Sequence, residues 1–97
     1  MSMRALVLGS GFAGQGHAAA LRDAGVEIVG MASRTQDVVE RVAEEMQIPY
    51  ATTDWQKGLL DLQPDIVAVG TPGGAHFEPV MAALSQGCHV LCDKPLA

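Results

Sequence analysis

Ninety-seven residues make one small domain, because typical domains run to roughly 100–150 residues. Six Lys and Arg against eleven Asp and Glu leave a formal charge of −5, so the chain carries no basic footprint for a nucleic-acid backbone. Hydrophobic residues make up 48% and charged ones 18%, which argues for a packed core; with aromatics at only 4%, that core must be built from Ala, Val, Leu and Ile.

No apolar run approaches the roughly 20 residues that span a bilayer, and Ala5–Leu8 is shorter than the about 7–15-residue core of a secretory signal. Cys88 and Cys92 are too few for a disulfide framework. Four residues apart in one expected strand, they stand about 13 Å from each other, beyond bonding reach. Their spacing matches no zinc pattern, so no metal site is expected. Asn is absent, which removes N-glycosylation, and a reducing cytoplasm is the expected location.

The first expected strand is Ala5–Gly9, continuously apolar as suits a strand covered on both faces. A helix from about Phe12 to Ala24 follows and stops at Gly25. Glu27–Met31 reads as the second strand. Val38, Val39, Val42, Ala43 and Met46 then form the apolar face of a helix whose cap is expected from Thr35, with Asp37 favouring its positive end. A weaker strand is expected around Pro49-Tyr50-Ala51. Trp55, Leu59 and Leu62 mark a short helix started by Thr53 or Asp54. Ile66–Gly70 is another continuously apolar strand. Phe77, Val80, Met81 and Leu84 mark a helix stopped by Gly87, with Pro79 tolerable in its first turn, and Cys88–Cys92 is the last strand.

Strands alternating with helices imply right-handed crossovers and a mostly parallel, doubly wound α/β sheet of about five strands. Five strands, four helices and eight short loops need roughly 90–100 residues, so residues 1–97 are expected to be a single domain, with no room among them for a second.

Between the first strand and the first helix stands Gly9-Ser10-Gly11-Phe12-Ala13-Gly14, a G-x-G-x-x-G. The glycines provide a tight turn, close backbone approach to a diphosphate, and tight helix-to-strand packing; Ser10, Phe12 and Ala13 add backbone to the same cradle. The helix start offers unpaired N–H groups to phosphate. A nucleotide-hydrolysing P-loop would need Lys and Ser or Thr after the last glycine, where Gln15 and Gly16 stand, and no G-x-S-x-G hydrolase elbow occurs. The alternative is a bare structural turn; strand before and helix after favour dinucleotide binding.

About 20 residues beyond the glycines, an acidic side chain would hold the ribose 2′-hydroxyl of NAD. Ser33, Arg34 and Thr35 stand there instead. Ser33 and Thr35 can donate hydrogen bonds, and Arg34 can pair with a 2′-phosphate, so NADP is the expected cofactor, with NAD the alternative.

Thr71-Pro72-Gly73-Gly74-Ala75-His76 and Cys92-Asp93-Lys94-Pro95 follow strands at the carboxyl edge, where open α/β sheets bind ligands. Together with the glycine turn, His17 and Ala32-Ser33-Arg34, these segments resemble the N-terminal NAD(P)-binding, Rossmann-type domain of the glucose–fructose oxidoreductase / inositol dehydrogenase / MocA family. Asp93-Lys94-Pro95 is the most specific landmark, being similar to that family's Glu-Lys-Pro. The resemblance implies that Lys94 is catalytic, close to nicotinamide and substrate. It also implies that Thr71, Pro72, His76, Asp93, Lys94 and Pro95 help to hold the cofactor. Two departures stand out: Asp93 is one methylene shorter than Glu, and Gly73 occupies a place where Asn commonly follows Thr-Pro.

The family continues into a second α/β domain that supplies most of the substrate pocket. We therefore expect a truncated nucleotide-binding domain of an NADP(H)-dependent oxidoreductase acting on a sugar, cyclitol or similar small polyol, inactive alone. An unpaired sheet edge implies a homo-oligomer. The alternative is a non-catalytic nucleotide-binding or sensing module acting on a partner protein. Structural roles are expected for His17, His89, Trp55 and both cysteines. Asp54 and Glu78 read as helix-start charges, and His76 is left between loop stabilisation and ligand contact.

Overall fold

The computed structural model describes residues 3–70 and 77–92. Five strands and four helices alternate along the chain: β1 (Arg4–Leu8), α1 (Phe12–Asp23), β2 (Glu27–Ala32), α2 (Gln36–Glu45), β3 (Ala51–Thr52), α3 (Trp55–Leu62), β4 (Ile66–Val69), α4 (Phe77–Ser85) and β5 (His89–Cys92). All pairings are parallel and the strand order is β3-β2-β1-β4-β5. The chain works outward from β1 to β3, crosses back, and builds outward again through β4 and β5. Direction therefore reverses between β1 and β4, and such a reversal opens a crevice at the carboxyl ends of the two strands.

The continuous apolarity of β1 has a direct structural cause. Alternate side chains of a strand point to opposite faces. Ala5 and Val7 join Ile28, Met31 and Ala68 beneath Ala18 of α1 and Val39, Val42 and Ala43 of α2. Leu6 and Leu8 join Val67 and Val69 on the other face, beneath Leu59 of α3 and Ala83 of α4. Both layers are needed, so β1 is apolar from Ala5 to Leu8, after Arg4 at its start. Trp55 packs at the margin of the second layer, as expected for a core anchor.

Local signals work where the sequence places them. Asp54 caps α3, its carboxylate accepting from the Lys57 amide at 3.1 Å. Gly25 and Gly87 follow α1 and α4 with left-handed backbones (φ 89° and 90°). Glu78 lies in the first turn of α4.

Four expectations need correction. Thr35 stands at the N-cap of α2, but its hydroxyl bonds no amide there. The weak third strand is Ala51–Thr52, one step beyond Pro49-Tyr50, and Cys88 precedes β5. Met81 and Leu84 of α4 are about half exposed, because Ala83 and Val80 make that helix's contact with the sheet. Cys88 is a buried free thiol donating to the Pro64 carbonyl at 3.2 Å; burial pushes its pKa up, and the Asp65 charge adds to the effect.

Candidate cofactor-binding site

The glycine turn occupies the crevice between β1 and β4. Gly9 leaves β1 with φ 116°, a left-handed conformation that an L side chain would strain, and its amide donates to Ala32 O of β2 at 2.6 Å. The chain then enters α1 at once, with Gly11 as N-cap.

Each glycine of the motif meets a different environment. A Cβ on Gly14 would lie 2.1 Å from Gly9 O, so α1 rests directly on the turn that precedes it. A Cβ on Gly11 would meet nothing within 4 Å: the space in front of the helix start is open. Gly14 also meets Gly70, whose own Cβ would stand 2.7 Å from Gly14 N. The Gly70 amide donates to Leu8 O at 2.7 Å, tying the end of β4 to the end of β1. Three backbones thus close on one another at the sheet reversal, whereas Gly11 faces free volume.

That volume has the electrostatics of an anion site. Among the described residues no side chain caps α1, and no acidic residue lies in its first turn, so the positive end of its dipole suits an anionic partner. Ser10 is buried, while Ala13 is half-buried. An open cradle of backbone donors at the switch point fits a dinucleotide diphosphate, which needs close main-chain approach and several N–H groups.

Ser33, Arg34 and Thr35 form the link from β2 to α2 on the same edge. The Gly9-to-Ala32 hydrogen bond places their start beside the glycine turn, and the Ser33 amide is held by Thr52 O at 3.1 Å. Ser33 is half-buried, whereas Arg34 and Thr35 are exposed. The nearest acidic residue along the chain is Asp37, in the first turn of α2. Thr71, Pro72, His76, Asp93, Lys94 and Pro95 lie outside the described residues, as do Gly73 and Gly74. β4 and β5 both end on the edge that carries the glycine turn.

Sequence reasoning missed two participants. Gly70 was legible only as the end of an apolar run; its place against Gly14 depends on the fold. Gln15, used above only to exclude a P-loop, donates its side-chain amide to Ser10 O at 3.0 Å and so touches the turn itself. His17 is half-buried on α1, consistent with a packing role. His89 is exposed in β5. Among the described residues no group of three or more His, Cys, Asp or Glu side chains gathers to hold a metal, and no helix is long and apolar enough to cross a membrane.

A family model described as an oxidoreductase family with an NAD-binding Rossmann fold, that of the glucose–fructose oxidoreductase, inositol dehydrogenase and MocA proteins, matches residues 3–97. The chain belongs to this family. The resemblance drawn from the glycine turn and Asp93-Lys94-Pro95 is thereby borne out. Among its relatives, "D-xylose 1-dehydrogenase (NADP(+)) 2" of Haloferax volcanii is 40% identical over 70 residues, covering 72% of this chain and 22% of that protein. The inositol 2-dehydrogenase of Mycolicibacterium gilvum is 32% identical over 96 residues, covering 97% of this chain and 28% of the relative. Of solved structures, an NAD binding oxidoreductase from Klebsiella pneumoniae superposes with a TM-score of 0.89 at 34% identity, over 99% of this chain and 28% of that one. The chain thus spans between a fifth and a third of the length of the relatives it matches. It is an NAD(P)-binding Rossmann domain of an oxidoreductase family.

Proposed function

We propose that the chain is the nucleotide-binding domain of an NADP(H)-dependent oxidoreductase that moves hydride to or from a carbon bearing a hydroxyl or carbonyl in a sugar, cyclitol or similar small polyol. The observation that carries the cofactor half of this reading is the open space before Gly11, at a helix start with no cap and no acid in its first turn. Relatives named for D-xylose and inositol support the polyol class.

The bound cofactor supplies the hydride donor or acceptor. The chain's own residues do the rest of what this domain contributes. The amides of Gly11, Phe12 and Ala13 hold the diphosphate. Ser33, Arg34 and Thr35 take the adenosine end: with no carboxylate among them, a 2′-phosphate meets a guanidinium and two hydroxyls. Thr71, Pro72, His76, Asp93 and Pro95 are assigned to the nicotinamide end. Lys94 is assigned to the reacting oxygen, where an ammonium stabilises an alkoxide in oxidation and polarises a carbonyl in reduction.

The remaining length of the relatives is where this reading places the substrate pocket, in a second domain of the parent enzyme, so the 97-residue chain alone binds cofactor without turnover. Its setting is the cytoplasm, whose reducing poise keeps the buried Cys88 a thiol. Calorimetric titration of the chain with NADPH and NADH tests the reading. Tighter NADPH binding supports it, and NADH binding tenfold tighter, about 1.4 kcal/mol, rejects the role given to Ser33 and Arg34.

A further inference from the structure

Gln15 is exposed on the first turn of α1, where a side chain with no task could be anything polar. Instead it is used twice. Its backbone amide donates to Gly11 O at 3.0 Å, and its side-chain Nε2 donates to Ser10 O at 3.0 Å. Two successive carbonyls of the glycine turn are therefore fixed by one residue. A carbonyl oxygen only accepts, so the amide nitrogen must be the atom that faces Ser10.

A trans peptide is planar, with C=O and N–H pointing in opposite directions. Holding Ser10 O against the side of α1 turns the Gly11 N–H the other way. Holding Gly11 O inside the helix turns the Phe12 N–H outward along the axis. The volume in front of Gly11, where a Cβ would find no atom within 4 Å, borders these two groups. Glycine makes the restraint necessary, because Gly11 has more backbone freedom to lose than any other residue type. The Gln15 side chain thus supplies at the turn a restraint that no side-chain cap bond of α1 provides.

We propose that Gln15 is a positioning residue for the cofactor: it locks the Ser10–Gly11 peptide so that consecutive amides are preset toward the diphosphate. This rests on the cofactor reading above. A neutral amide suits the position, since it donates to the carbonyl without bringing a negative charge near the phosphates. A Glu of the same length could do neither.

The test is Gln15→Met, which keeps the shape and loses the donor, with Gln15→Ala as a second variant, each titrated with NADPH and with 2′-AMP. The latter carries the adenosine 2′-phosphate but no diphosphate. A single neutral hydrogen bond is worth about 0.5–1.5 kcal/mol, so NADPH should bind roughly twofold to tenfold more weakly to both variants. Binding of 2′-AMP should not change and the Gly11 amide resonance should move, while the melting temperature of the free chain should fall by about 4–8 °C, the loss of one hydrogen bond. Unchanged NADPH affinity overturns the proposal, and so does an equal loss for NADPH and 2′-AMP, which would mark a general structural effect. Failure of the wild-type chain to bind either NADPH or NADH is a separate result, overturning the cofactor reading and this proposal with it.

Discussion

Replacing Gly14 by Ala puts the close approach of α1 to the glycine turn under test. The added Cβ would lie 2.1 Å from Gly9 O and 2.6 Å from Gly9 C, where ordinary contact needs more than 3 Å. The obstructing atoms are backbone, and Gly9 cannot retreat because its amide is bound to Ala32 O and its φ is 116°. Helix α1 must therefore move off the sheet by about 1 Å, loosening Ala18 from the core beneath it. Overpacking of this kind costs about 1–3 kcal/mol, and a backbone clash belongs at the upper end. Ala gains about 1 kcal/mol over Gly in a helix interior. The net expectation is a loss of about 2 kcal/mol, or roughly 8–16 °C in melting temperature for a domain of this size. Urea unfolding followed by far-UV circular dichroism measures it, with Gly11→Ala as the internal control. A Cβ at position 11 touches nothing, so that variant should lose no more than about 1 kcal/mol, the preference for Gly over Ala at an N-cap. A Gly14→Ala protein as stable as wild type, or a control as damaged as the test, would refute the interlocked turn.

Further outcomes follow from other parts of the molecule. Arg34→Ala should weaken NADPH by about tenfold, within the range of a charge-assisted hydrogen bond, and leave NADH unchanged; equal losses in the two titrations would reject its phosphate role. Alkali should destabilise the fold through Cys88. Its thiol pKa is raised in the folded state, so the unfolded chain releases the proton first. Stability is then fully present below the ordinary thiol range and falls as pH rises through about 8.5 and beyond. Urea midpoints at pH 7 and pH 9.5 should differ for wild type and converge for Cys88→Ala. β5 is one of the two outer strands of the described sheet and Leu91 on it is 40% exposed, so the wild-type chain should show concentration-dependent dimerisation by sedimentation, suppressed by Leu91→Lys. A monomer at every concentration would count against that edge as an interface.

Much of the fold was legible because both layers of an α/β sheet impose patterns on short segments. Ala5–Leu8 of β1 and the whole of β4 had to be apolar, and they read that way. The glycine turn was legible because its neighbours in sequence are its neighbours in space. Gly70 was not, since its partner Gly14 lies across the sheet reversal and no local pattern links them. Gln15 escaped for a different reason: an amide that reaches a backbone carbonyl leaves no periodic trace. Met81 and Leu84 looked like core because they lie at helical spacing, yet Ala83 brings α4 close enough to the sheet that the larger side chains point past it. Thr35 shows that a residue's preference for a cap position can be met without the cap hydrogen bond.

The grip on the diphosphate is tested most directly by titrating the 15N-labelled chain with NADPH and following every backbone amide. The largest shifts should fall on Gly11, Phe12 and Ala13, at the start of α1, with a second group at Ser33 and Arg34. Shifts centred on the opposite edge, around Gln63, Asp65 and His89 in the cleft of about 460 Å³ beside the amino end of β4, would contradict the account.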